Sequence, residues 1–208
     1  MRSQLFFISV SFCFLFSSCN SNEKNEEINA VKSDSLSSIE PKHLAIKTTE
    51  QLTDAKGIIG LFDVPEMLTI TKMDSTSMSK VASLLAKNYG ILQKDIDFIK
   101  AEINGSAGAI YYNNDTSNFI FECVIPISKM PTVQPKKSQV VVLEASRMLV
   151  YNYYGPYTHL FTAYAEIKQY CSKYNIEQSG PLREFYITDP TNVKDSTQWL
   201  TRIMLPVK

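Results

Sequence analysis

Glu184 and Tyr186 stand two residues apart in Glu184-Phe185-Tyr186-Ile187. On an extended strand that spacing puts both side chains on one face, with Phe185 and Ile187 on the other. A carboxylate beside a phenol ring can hold a lipophilic cation: the acid supplies the counter-charge, and aromatic faces add cation–π attraction. A polar anion is repelled by the same group. The plainer alternative is a strand acid paired with Arg183 or Arg202. Further aromatic residues compete for the same role. Tyr154 and Tyr157 flank Gly155-Pro156 at a helix start, and Trp199, the sole tryptophan, begins the last strand. Each is read either as lining a binding site or as core. A second acid, Glu122, stands inside the apolar run Phe121-Glu122-Cys123. His43 and His159, the only histidines, have no metal-ligand spacing, so neither a metal nor a cofactor is expected. No Ser-His-Asp arrangement and no glycine-rich phosphate loop is legible.

The elements that must position these residues form an internal repeat. Gly57–Thr71 and Ser138–Asn152 each read as an apolar strand, a short break at Pro65 or Ser146, and a Met-Leu strand. A helix follows in each half. Met78, Val81, Leu85 and Tyr89 recur at helical spacing in the first, and Leu160, Tyr164, Ile167, Cys171 and Tyr174 in the second. Ser75, Thr76 or Ser77 can cap the first helix, and Gly90 is the expected terminator. Gly155-Pro156 and Gly180-Pro181 bracket the second. Each half closes with two strands, Ala109–Tyr112 to Phe119–Ile127 and Glu184–Ile187 to Trp199–Val207. The fold class is therefore α+β: two β-β-α-β-β repeats, 57–130 and 138–208, with two helices covering a pseudo-twofold antiparallel sheet. Repeat symmetry sets Ala109 opposite Glu184 and Tyr111 opposite Tyr186. The site should be lopsided in charge, with tyrosines on both sides.

The N-terminal residues give an address. Arg2 precedes the apolar run Leu5–Phe16, as in a secretory signal peptide spanning 1–18. The run is too short to span a bilayer, which takes roughly 20 residues. Phe16-Ser17-Ser18-Cys19 resembles a bacterial lipobox, making Cys19 the lipidated residue, although Phe16 replaces the more usual leucine. The expected product is a lipoprotein of the cell envelope, held by its lipid at a membrane, the outer membrane of a Gram-negative bacterium by preference. It would face the periplasm or the cell surface. Residues 19–56 are polar and of mixed charge, which predicts a flexible tether with a root-mean-square span of about 35 Å. The acids after Cys19 also resemble a surface-export signal, or serve simply as a solvated linker. Cys123 and Cys171 remain in the mature chain. The compartment permits a disulfide, but both lie in apolar patterns that suit free, buried thiols. With 21 basic and 21 acidic residues the formal net charge is zero, and no nucleic-acid partner is indicated.

Three segments carry a family resemblance: Tyr154-Gly155-Pro156-Tyr157; Gly180-Pro181-Leu182-Arg183-Glu184-Phe185-Tyr186-Ile187-Thr188-Asp189-Pro190; and the terminal Leu205-Pro206-Val207. In order and spacing they resemble the GyrI-like small-molecule-binding family, which also provides the effector-binding module of AraC-type regulators. The resemblance covers about Lys56 to Lys208. It implies two tandem strand-helix-strand-strand modules with a concave groove between their helices. It also implies a small hydrophobic, often cationic ligand whose charge Glu184 meets, with Tyr186 alongside. Family members often carry an acid before the apolar end of the last strand; Glu122 fits in the first half, while Arg202 occupies that place in the second. Some relatives hydrolyse strained electrophiles, which would make Glu184 and Glu122 the catalytic acids here. Arg202 counts against that enzyme and could instead neutralise Glu184. A protein-interaction module is a third reading.

Overall fold

The computed structural model describes residues 45–208. The expected signal peptide, Cys19, His43 and the first part of the expected tether lie outside the described residues. Nine strands form one sheet: β1 (Ile46–Thr48), β2 (Gly57–Val64), β3 (Met67–Thr76), β4 (Gly108–Tyr111), β5 (Phe119–Pro126), β6 (Gln139–Leu143), β7 (Ser146–Tyr154), β8 (Leu182–Tyr186) and β9 (Leu200–Pro206). Two helices, α1 (Val81–Ile99) and α2 (Leu160–Tyr174), follow the second strand of their repeats. The spatial order is β1-β2-β7-β9-β8-β4-β5-β3-β6. Every pairing is antiparallel except that of β1 with β2.

The two repeats meet where β4 pairs with β8, and Ala109 lies directly opposite Glu184. The pseudo-twofold axis therefore passes through that pair. The first strand of each repeat crosses to the other: β2 pairs with β7, and β6 with β3. The halves are interlocked at three places, and each completes its partner's sheet.

The two helices cover the sheet over separate apolar clusters. Leu160, Ala163, Tyr164 and Ile167 of α2 close over Leu149, Tyr151 and Tyr153 of β7 and Ile203 and Leu205 of β9. Val81, Leu85, Tyr89, Leu92 and Ile96 of α1 close over Ile70, Phe121, Cys123 and Ile125. Tyr186 packs against both clusters and so sits on the seam. The opposite face carries a third cluster that includes Phe62, Ile110, Val124, Val150, Phe185 and Met204. All three clusters are built from residues within 45–208. Among the described residues no helix is long and apolar enough to cross a membrane.

Three local expectations change. Gly90 does not end α1: the buried stripe continues through Leu92, Ile96 and Ile99, and the helix stops only at Lys100, in the left-handed conformation. Burial of that last stretch outweighs the helix cost of one glycine. None of Ser75, Thr76 or Ser77 caps α1. β3 runs through Thr76, and Ser77 begins a 3₁₀ turn (Met78–Lys80) without a side-chain capping bond. The tether is shorter than its composition suggests, because residues 46–56 are held on the sheet. Asn152 Nδ2 donates to the carbonyls of Thr53 and Ala55 at 2.8 and 3.1 Å, and Tyr154 Oη donates to that of Asp54 at 2.8 Å. Sequence polarity missed this because backbone carbonyls make the contacts. The inter-repeat link is pinned as well. Asp95 on α1 accepts from the Lys137 amide and the Ser138 hydroxyl at 2.8 and 2.7 Å. Burial alone would raise its carboxyl, but these hydrogen bonds hold it below the usual carboxylate range.

Candidate functional site

β8 presents its residues alternately, as the spacing predicts. Phe185 joins the cluster on the far face, while Glu184 and Tyr186 point toward the helices. Glu184 is completely buried. Its Oε2 accepts from Tyr111 Oη at 3.2 Å and Tyr186 Oη at 3.3 Å, and the two hydroxyls lie 3.2 Å apart. No lysine or arginine among the described residues forms an ion pair with it. Burial pushes the Glu184 carboxyl up to about 8, against the pull of the two phenol hydrogen bonds. The same burial, and then the nearby carboxylate, pushes the Tyr111 and Tyr186 hydroxyls well above their ordinary value.

Aromatic rings enclose this acid. Tyr157, from the 3₁₀ turn that leads into α2, meets the Tyr186 ring edge-on at 5.4 Å. Trp199 lies 5.2 Å from Tyr157, centroid to centroid, and is fixed by its indole N–H donating to the Val193 carbonyl at 2.8 Å. On the α1 side, Tyr89 donates to the Gly108 carbonyl at 2.6 Å. A cavity of about 590 Å³ opens between α2 and the adjoining ends of β4 and β8. Tyr111, Phe119, Tyr164, Ile167, Cys171 and Leu182 are among its walls. Tyr111 links the cavity to the acid: it stands in the cavity wall and its hydroxyl donates to Glu184.

Glu184, Tyr186, Tyr111, Tyr157 and Trp199 are thus brought together, and Tyr154 is not. Tyr154 hydrogen-bonds to the carbonyl of Asp54 at the other face of the sheet, where Asn152 holds the carbonyls of Thr53 and Ala55 and Arg202 the Asp54 carboxylate. Glu122 also lies away from Glu184. Its neighbours Phe121 and Cys123 face α1, so alternation turns Glu122 to the far side, where it accepts from Tyr112 Oη. A pair of acids acting on one substrate is not assembled. Arg202 does not neutralise Glu184: Ile203 faces α2, so Arg202 faces away and bonds Asn152 Oδ1 at 2.9 Å and Asp54 Oδ1 at 2.8 Å. Arg183 shares the far face with Phe185. Sequence reading missed Tyr89, taken only as a core position, and Thr201, whose place two residues before Ile203 was the available signal. Cys123 and Cys171 are free thiols in different clusters. Among the described residues no three of His, Cys, Asp or Glu are grouped to hold a metal.

The motif resemblance implies Glu184 with Tyr186 alongside, and the structure places the two side by side at the seam of the repeats. The family model for the GyrI-like small-molecule-binding domain matches residues 63–208. The chain belongs to that family. Solved structures share the fold at low identity. The C-terminal domain of EcmrR superposes with a TM-score of 0.65 at 19% identity, covering 71% of this chain and 95% of that one. SAV2435 bound to tetraphenylphosphonium gives 0.52 at 17%, covering 71% and 92%. A hydrolase from Listeria innocua gives 0.51 at 13%, covering 71% and 90%. No match was found among curated proteins. In this GyrI-like domain the two halves of the groove differ. Glu184 has only the methyl of Ala109 as its symmetry mate, so the acid stands on one side of the axis alone.

Proposed function

We propose that this GyrI-like domain is carried on an envelope lipoprotein and binds small hydrophobic cations at Glu184. The observation that carries the reading is a fully buried carboxylate with no cationic partner among the described residues, bonded by two tyrosines, one of which also lines a largely apolar cavity. Isolated buried charge is costly, so the acid remains protonated until a ligand's positive charge compensates it. The tyrosine faces supply the cation–π component. SAV2435, which shares the fold, is bound to tetraphenylphosphonium, an aromatic cation of the same character. Rhodamine 6G is a suitable probe: its affinity for residues 45–208 is expected to drop at least about tenfold on Glu184→Gln, the loss of one charge-assisted contact.

The address rests on the Phe16-Ser17-Ser18-Cys19 motif. Cells fed labelled palmitate should incorporate it into the full chain, and Cys19→Ala should abolish the label. A labelled Cys19→Ala protein contradicts the anchor.

The hydrolase reading draws support from the Listeria innocua relative's fold. It has to work with Glu184 as the lone acid, since Glu122 occupies the other face.

A further inference from the structure

On the helix-facing side of the seam, three buried polar atoms have no hydrogen-bond partner among the described residues: Oε1 of Glu184, Oη of Tyr157 and Oγ1 of Thr201. Buried polar atoms are nearly always paired, so three orphans in one neighbourhood point to a group that binds there. They are neighbours by register. On β8 and β9 Glu184 pairs with Ile203 and Tyr186 with Thr201. Thr201 and Ile203 share one strand face, so the threonine hydroxyl stands beside Tyr186 on the Glu184 side. Tyr157 touches Tyr186 edge-on at 5.4 Å and lies within range of the Glu184 charge. Glu184, Tyr157 and Thr201 therefore all adjoin Tyr186, whereas the cavity is lined by Tyr111 and not by any of these three.

Resting on the reading of the groove as a cation site, we propose that the charged end of the ligand is an N–H cation, a protonated amine or amidinium. Its N–H groups donate to Glu184 Oε1 and to the hydroxyl oxygens of Tyr157 and Thr201. The carboxyl proton leaves to solvent as the ammonium–carboxylate pair forms. A quaternary ammonium or a phosphonium has no hydrogen to donate and would leave all three atoms unpaired. N⁺–H···O bonds are among the stronger ones available to a buried site. Tyr157 and Thr201 thereby become the residues that set specificity for the head group, while the aromatic walls and the cavity accept the apolar body.

Two fluorescent probes separate the cases: dansylcadaverine, a primary amine, and its trimethylammonium derivative, of equal charge and nearly equal shape. Titrated into residues 45–208, whose folding is checked by a cooperative thermal transition, the amine is expected to bind about tenfold tighter. Thr201→Val and Tyr157→Phe each shrink that preference to about threefold or less and leave the trimethylammonium affinity within about twofold. Thr201→Ser, which restores a hydroxyl, restores the preference. Equal affinity of the parent for the two probes overturns the proposal, as does a preference that survives both substitutions. Binding of neither probe contradicts the cation site itself, and the head-group assignment with it.

Discussion

The Glu184→Gln variant is expected to unfold at distinctly higher urea than the parent at pH 8.5, and at nearly the same urea at pH 4.5. The folded chain buries the Glu184 carboxyl completely and raises it from 4.5 to about 8, because the anion would lose its hydration. The unfolded chain ionises at the ordinary value. Between pH 4.5 and about 8 the folded state therefore holds more protons than the unfolded state. Stability attached to this group is fully present below 4.5 and is lost as pH rises toward 8. The loss runs at up to about 1.4 kcal/mol per pH unit and levels off above the folded-state value. Glutamine has no charge to bury, so the variant escapes that loss, and a difference of roughly 4–5 kcal/mol is expected at pH 8.5. Parallel pH profiles for the two proteins would show that Glu184 is ionised and compensated in the folded state. The parent tolerates an acid that weakens its own fold, as expected of a residue retained for binding rather than stability.

The second large effect is at the seam. Gly108 on β4 lies directly opposite Phe185, and an added Cβ would run into the Glu184 carbonyl oxygen and come within 2.7 Å of Phe185 Cδ1. Both neighbours are fixed, one being backbone and the other a buried ring. Gly108→Ala must spread β4 from β8, the strand pair that joins the two repeats and places Glu184. A cost of about 3 kcal/mol, at the upper end for overpacking, is expected. This corresponds to a fall of roughly 10 °C in Tm for a domain of this size. Gly90→Ala is the internal comparison. It sits inside α1 with nothing within 4 Å of a new Cβ, so it should raise stability by about 0.5–1 kcal/mol. Equal responses at the two glycines would contradict the close approach at the seam.

The contrast between these glycines shows where sequence reading succeeds and where it stops. The repeat was legible because each half repeats its hydrophobic periods, and Ala109 falls opposite Glu184 as that symmetry requires. Gly90 misled because a terminator signal is local, whereas the stripe through Leu92, Ile96 and Ile99 is held by the sheet. The crossing of β2 and β6 to the opposite repeats left no trace in the sequence. Alternation fixes which face a strand buries and says nothing about which neighbour it pairs with.

The site divides along the same line. Glu184 and Tyr186 followed from two-residue spacing. The same rule, applied to Phe121-Glu122-Cys123 and to Arg202-Ile203, would have turned Glu122 and Arg202 to the far face, since their neighbours are the core residues. Tyr154 was misplaced because a tyrosine at a helix start suits either side. Here the backbone of residues 53–55, which carries no side-chain signal, captures its hydroxyl region. Tyr89 and Thr201 read as ordinary core positions, and only the placement of Glu184 gives them a polar task.

The most direct test of a cation site at Glu184 is the affinity of rhodamine 6G for residues 45–208 from pH 6 to 9, with Glu184→Gln alongside. Because the carboxyl must release its proton before it can pair with the dye, parent affinity should rise about tenfold per pH unit up to about 8 and then level off. The variant should bind weakly and without pH dependence. Equal affinity in the two proteins, or a flat profile in the parent, would contradict the assignment of Glu184 as the ligand's counter-charge.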